Sequence, residues 1–378
     1  MGNPLRILHV VVNMNRGGAE TLIMNLYRNI DRNKIQFDFL TCKEGVFDGE
    51  IKEMGGKIHR IPYITDVGHF KYIQELNKFF EKNKHYKIVH SHMDKMSGLV
   101  LRSANRAGIP IRISHSHNTS SEGGVAAKFY KWYIGKYIIA NATNFLSCSN
   151  KAAEWLFKRK SNLSETLKNG IEFEKFTFSE EARESIRKEL NIENKFVIGH
   201  VGRFNRQKNH IFLMKILNEI NNLNNECILI LVGDGPLRAE VEKQVNELKL
   251  AAKVMFLGER SDINHLLQGF DIFVFPSLHE GLPVSLIEAQ AAGLPCFISD
   301  VISDEVDLGA NLIRFESLET GPGSWAQKLL TFSKIAIRNN DVATFIKNKG
   351  YDIRKTALWL EEFYTGIQRK EISIIKKS

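Results

Sequence analysis

At 378 residues, with 43% hydrophobic and 25% charged residues, the chain exceeds one hydrophobic core; at about 150 residues per domain, two domains are expected, and neither disorder nor a fibrous repeat. Its longest apolar runs, such as "ILHVVV" and "DIFVFP", fall short of the roughly 18 residues a membrane span needs, and the N-terminus shows neither signal-peptide nor myristoylation character. The net charge of +9 is uneven: 26 Lys and Arg against 14 Asp and Glu up to Gly170, then 26 against 29, so the first half is suited to an anionic partner, a membrane surface or a phosphorylated ligand.

In chain order, the runs "RILHVVVNM", "IQFDFLTC", "YKIVHSH", "IRISHSH" and "TNFLSCS" read as strands. Between them, helix-period segments start near Ala19, Phe70, Lys95, Val125 and Asn150. That alternation predicts a parallel sheet covered on both faces. After a turn at Asn169–Gly170 and a Ser179 cap, the rhythm restarts with "KFVIGHVGRF", "ECILILVGDG", "KVMFLG", "DIFVFPS" and "PCFISD". The expected division is a Rossmann-like domain over 1–172, a second Rossmann-like domain over 173–350, and a terminal helix over 351–378 returning to the first domain. The tail "KEISIIKKS" is expected to fray. Four scattered cysteines without a C-x-x-C pair indicate neither a disulfide framework nor a zinc site and suit a reducing cytoplasm.

Ligands of such sheets sit at the carboxyl ends of the strands, so the turns there carry the candidate chemistry. In the first, "NMNRGGAE", Gly17 and Gly18 precede a helix, where backbone can approach a ligand and unpaired N–H groups can meet an anion. The G-x-G-x-x-G dinucleotide pattern is absent. Two further strand ends carry His90, His92, His115 and His117. No acid joins them in a facial arrangement, so no metal site is expected, and His117 is the candidate for a hydrogen bond to a sugar hydroxyl or a developing charge. The segment "KFYKWYIGKYIIANATNFL" interleaves Lys128, Lys131 and Lys136 with rings including Trp132, a composition suited either to an anionic membrane surface or to a core helix. No nucleic-acid signature accompanies it.

In the second half, "VGRFNRQKNH" sets Arg203 and Lys208 on one loop before a helix, a fork and a point charge able to hold a diphosphate. The stretch "HEGLPVSLIE" places Glu280 before a helix start and Glu288 inside it. The N–H groups of Gly281, Leu282 and Val284 are expected to face phosphate oxygens, while Pro283 has none to offer. The spacing separates the two acids along a ligand, so both read as hydroxyl acceptors.

"GGAE", "GRFNRQK", "LVGDGPLRAEVE", "VMFLGERSDI" and the E-x7-E of "EGLPVSLIE" together resemble retaining glycosyltransferases of family 4. The opening "RILHVVVNMNRGGAETLIMNLYRNID" and "HSHNTS" resemble the exopolysaccharide and capsule subgroup. The resemblance implies an α/β fold of GT-B type, two Rossmann-like doubly wound domains facing a central cleft. It implies a metal-independent, retaining transfer of a hexose or N-acetylhexosamine from a nucleotide sugar, a UDP-sugar, to a lipid-linked oligosaccharide. It further implies a cytoplasmic protein that can sit peripherally on the inner face of the cell membrane. Carried over by position, Arg203 and Lys208 would bind the diphosphate, with Gly17 and Gly18 approaching it. Glu288 would hold the ribose, Glu280 the donor sugar, and His117 would lie beside the reacting centre. No cofactor beyond the nucleotide-sugar co-substrate is implied. A sugar-nucleotide epimerase of the same fold and a non-catalytic two-lobed sugar-binding module are the alternative readings.

Overall fold

A computed structural model describes residues 3–223, 226–339 and 341–375. The chain forms two compact units, one of the residues up to Gly170 together with those from Ile353 onward, the other Ile171–Asp352.

The first unit is built on a seven-stranded parallel sheet of β1 (Leu5–Val10), β2 (Ile35–Thr41), β3 (Ile58–Arg60), β4 (Ile88–Ser91), β5 (Ile111–Ser116), β6 (Asn144–Ser147) and β7 (Ser164–Thr166), in the order β3-β2-β1-β4-β5-β6-β7. Its central strands are buried on both faces, as every residue of β2 is, which is why they read as near-continuous apolar runs. On one face Ile7, Phe37, Ile88 and Ile113 pack against Leu22 and Leu26 of the helix Gly18–Asn29. Ala357, Leu360 and Tyr364 of the helix Ile353–Ile375 complete that layer. On the other face Leu8, Val10 and Val89 meet Tyr72 and Leu76 of the helix Ile64–Lys82 and Val100 of the helix Ser97–Arg106.

The second unit carries β8 (Phe196–Val201), β9 (Cys227–Val232), β10 (Val254–Gly258), β11 (Ile272–Phe275), β12 (Cys296–Ser299) and β13 (Ile313–Glu316), all parallel, in the order β10-β9-β8-β11-β12-β13. Leu229, Leu231, Val274 and Phe297 pack beneath Leu213 and Leu217 of the helix His210–Asn222 and Trp325 and Leu329 of the helix Gly321–Ile335. Both sheets reverse their strand order, between β1 and β4 and between β8 and β11, and at such a switch point neighbouring loops diverge and leave room for a ligand.

Several boundaries differ from the sequence expectation, each for a local reason. The strands β3, β7 and β13 were not anticipated: they have three, three and four residues and are only partly buried, so they carry no apolar run. The helix expected near Phe70 begins at Ile64 but is interrupted at Gly68, whose φ of 78° breaks the period there. The tail expected to fray continues the last helix to Ile375, and its remainder, 376–378, lies outside the described residues.

Candidate functional site

In the second unit, the loops after β8 and β11 leave neighbouring strands and are tied together. Leu278 N–H donates to the Gln207 carbonyl at 2.8 Å, Gln207 Nε2 to the His279 carbonyl at 2.8 Å, and Asn209 Nδ2 to the Pro276 carbonyl at 3.1 Å. This stitching brings Lys208 Nζ to 2.7 Å from Glu280 Oε1, with Gln207 Nε2 donating to Oε2 at 3.1 Å. Lys208 Nζ also lies 4.4 Å from the centre of the Phe275 ring. Glu280 is buried and Lys208 largely so, so each charge depends on the other for much of its stabilisation. Lys208 and Glu280, read from the sequence as addressing different parts of a ligand, thus form an ion pair with each other.

Arg203 is exposed on the same loop. On the strand before that loop and the helix after it, His200 and His210 are buried, His200 bonding the Val274 carbonyl through Nδ1 at 2.8 Å and His210 stacking on Phe204 with centroids 4.1 Å apart. Burial pushes the first down to about 4 and the second to about 2, so both imidazoles are neutral. Sequence reasoning missed this pair, since a histidine on an apolar run gives no signal of its own. Gly233, after β9, has φ 130°, and a Cβ there would overlap the Gly202 carbonyl, so only glycine lets the two loops approach this closely.

The helix Val284–Ala291 begins after Pro283, which caps it with φ −71° and ψ 117°. Gly281, Leu282 and Val284 are all buried, Leu282 and Val284 at 4% and 7% exposure. Glu288 lies within this helix, half-buried and with no side-chain partner among the described residues. Burial pushes its carboxyl up to about 7.

In the first unit, Gly17 caps the helix Gly18–Asn29 with φ −104° and ψ 170°. Neither glycine has a positive φ, so the turn itself does not require them. A Cβ on Gly18 would meet nothing within 4 Å, whereas one on Gly17 would overlap the Glu20 carboxylate.

The strand-end histidines stand on one face in two hydrogen-bonded rows, joined by His9 of β1, which the sequence reading overlooked. In one row His9 Nδ1 meets His92 Nε2 at 2.9 Å and His92 Nδ1 meets His117 Nε2 at 2.8 Å. In the other, Tyr364 Oη meets His90 Nδ1 at 2.6 Å and His90 Nε2 meets His115 Nδ1 at 3.2 Å. The rows stack, with centroids 4.1 Å apart for His90 and His92 and 4.0 Å for His115 and His117. The sequence reading joined no acid to this cluster, but Asp94 Oδ1 accepts the His117 backbone N–H at 3.2 Å. Asp94 has φ 44°, and burial pushes its carboxyl up to about 6. Two groups of three, His9/His90/His92 and His92/His115/His117, hold nitrogens within 4.8 Å of one another. In type these are metal ligands, but an ion would have to break the bonds the rings already make with each other.

The helix Val125–Asn141 turns Ile134 and Ile138 inward. Val125, Phe129, Trp132 and Tyr133 are exposed, Phe129 by 66%. Lys136 Nζ lies 3.8 Å from the Trp132 ring centre, Lys131 Nζ bonds the Glu122 carbonyl at 2.9 Å, and Lys128 is exposed. Among the described residues no helix is long and apolar enough to cross a membrane.

Two parallel Rossmann-like sheets, each with loops gathered at a switch point, define a protein of the GT-B class, and comparison with known proteins agrees. The "Glycosyl transferase 4-like domain" family matches residues 17–162 and "Glycosyl transferases group 1" matches 182–307. The chain is 38% identical to the putative glycosyltransferase EpsF of Bacillus subtilis (strain 168), over 97% of this chain and 98% of that one. It is 29% identical to the capsular polysaccharide biosynthesis glycosyltransferase CapH of Staphylococcus aureus, over 95% and 98%. In fold it matches Anabaena Alr3699/HepE, solved with UDP and glucose, with a TM-score of 0.79 at 18% identity over 96% of this chain and 99% of that one. The chain belongs to the family 4 glycosyltransferases of the exopolysaccharide and capsule type and is a glycosyltransferase.

Proposed function

We propose that the protein transfers a hexose or N-acetylhexosamine, with retention and without a metal, from a UDP-sugar to a hydroxyl of a lipid-linked oligosaccharide during exopolysaccharide or capsule synthesis. The observation that carries this reading is the buried Lys208–Glu280 pair at the switch point of the second sheet, 2.7 Å apart. A diphosphate arriving at Lys208 competes for its ammonium and frees Glu280 to accept sugar hydroxyls, so one binding event readies both residues. Arg203, exposed on the same loop, adds a second cation, and the loop at Gly281, Leu282 and Val284 lines the phosphate end. Glu288 accepts the ribose hydroxyls. In the first unit, Gly17, Gly18 and His117 are assigned to the donor on the family resemblance, His117 as a partner of a sugar hydroxyl.

Cleaving a sugar–phosphate bond develops negative charge on the leaving diphosphate, and fixed cations stabilise that charge more in the transition state than before it. The donor class is supported by the UDP in the HepE structures of the same fold. The acceptor class is supported by an Escherichia coli relative, 28% identical over 79% of this chain and 80% of that one. It is named UDP-Gal:alpha-D-GlcNAc-diphosphoundecaprenol alpha-1,3-galactosyltransferase. The exposed aromatic and basic face around Trp132 is assigned to an anionic membrane surface, where such an acceptor resides.

The test is transfer to a lipid-linked acceptor with UDP-, GDP- and ADP-sugars, with and without EDTA, reading the anomeric configuration of the product by NMR. Turnover with a UDP-sugar that survives EDTA and retains configuration is expected. Sugar interconversion without acceptor would instead identify an epimerase.

A further inference from the structure

The imidazole rows of the first unit do more than fill space. Four of the five rings are buried, and His117 is partly exposed. Burial pushes His9 and His117 down to about 3 and His90, His92 and His115 well below the usual histidine range, so every ring is neutral and carries one N–H. Each nitrogen-to-nitrogen contact then needs one N–H and one bare nitrogen. The row His9–His92–His117 therefore has only two consistent arrangements, N–H groups pointing all one way or all the other. In either, His92 Nδ1 dictates the role of His117 Nε2, 2.8 Å away, and the remaining atom, His117 Nδ1, must take the opposite role. His92 is itself dictated by His9 at 2.9 Å.

The row ends at His9 Nε2, which is buried with no hydrogen-bond partner among the described residues; an orphaned buried N–H there is costlier than a bare nitrogen, which selects the arrangement with every N–H on Nδ1 and makes His117 Nδ1 a donor. The Asp38 carboxylate favours a cation at His9, but burial outweighs it, so a proton passed down the row would leave a poorly stabilised buried imidazolium. The row is thus unsuited to carrying a proton and suited to holding a neutral tautomer. The ring planes have little freedom, because the second row, anchored by Tyr364 at 2.6 Å, stacks against the first, and Asp94 holds the backbone of His117 at 3.2 Å.

We propose that His92 and His9 are positioning residues that lock His117 in one neutral tautomer, so that its Nδ1 always offers the same hydrogen-bond role to a sugar hydroxyl. The contact of His117 with sugar rests on the function proposed above; the lock itself does not.

The test is a long-range proton–nitrogen NMR spectrum of protein labelled with nitrogen-15 histidine, with His117 assigned from the spectrum of His117→Gln. A single His117 tautomer is expected in the parent and a mixture in His92→Phe, whose turnover falls roughly tenfold, the value of one hydrogen bond, with the donor KM little changed. His92→Gln, whose amide supplies both a donor and an acceptor, is expected to restore the single tautomer. Should His92→Phe fail to fold, His9→Phe is read in the same way. Both tautomers at His117 in the parent, or a single tautomer undisturbed by either phenylalanine, overturns the proposal. If His117→Ala turns over like the parent while the tautomer lock is observed, the sugar contact fails and the lock stands.

Discussion

At the scale of residues, Lys208 and Arg203 differ in what holds them. Lys208 is committed to Glu280, whereas Arg203 is exposed on the loop. If each acts as one charged donor to the leaving diphosphate, Arg203→Ala and Lys208→Ala each raise the transfer barrier by about 2 to 4 kcal/mol. Steady-state kinetics checks this, and unchanged turnover in both variants removes the diphosphate assignment. Lys208→Ala also takes from the buried Glu280 carboxylate the cation that it pairs with, so its stability should fall more than that of Arg203→Ala. Glu288 makes two predictions of opposite sign. Its folded carboxyl lies near 7, above the ordinary 4.5, so its contribution to stability is full below pH 4.5 and is lost as pH rises through 7. Glu288→Gln should therefore gain stability over the parent between pH 5 and pH 8 in thermal melts. Nucleotide binding needs the ionised form as hydroxyl acceptor, so UDP affinity measured by calorimetry should strengthen from pH 6 to pH 8 in the parent and stay flat in the variant.

At the scale of elements, the sequence shows a helix at Val125–Asn141 by its period, but which face is solvent depends on what packs against it. The helix Ser97–Arg106 approaches so closely at Gly98 that a Cβ there would overlap the Ile134 carbonyl. Alanine is the better helix former by about 1 kcal/mol, yet backbone cannot move aside as a side chain can, and overpacking costs about 1 to 3 kcal/mol. Gly98→Ala is expected to be net destabilised in chemical denaturation. The same packing turns Ile134 and Ile138 inward and leaves Phe129, Trp132 and Tyr133 exposed beside Lys128 and Lys136. If this face docks on lipid, Lys131→Glu with Trp132→Ala should lower sedimentation with phosphatidylglycerol vesicles, and a parent that fails to sediment with them excludes the role. The edge strands β3, β7 and β13 were illegible for the converse reason: backbone pairing to a neighbour makes them strands, and pairing leaves no mark on the residues themselves.

At the scale of the whole molecule, the last helix belongs to the core of the first unit although it is about 180 residues of chain away. Leu360 is fully buried against that core, and Leu360→Ala should cost about 2 to 5 kcal/mol in denaturant unfolding. Composition, strand–helix alternation and the acid and cation spacing of "GRFNRQK" and "EGLPVSLIE" were enough to read a doubly wound fold and a family. Those features are local: burial on both faces makes a strand apolar throughout, and a turn carries its own glycines and charges. The tertiary structure alone decided that Lys208 and Glu280, 72 residues apart, form one buried pair. It alone also joined His9 and Tyr364 to the strand-end histidines and gave Asp94 the His117 N–H. Strand order at the switch points sets these meetings, and strand order follows from which edges pair, a property of the folded chain that no single stretch of sequence encodes.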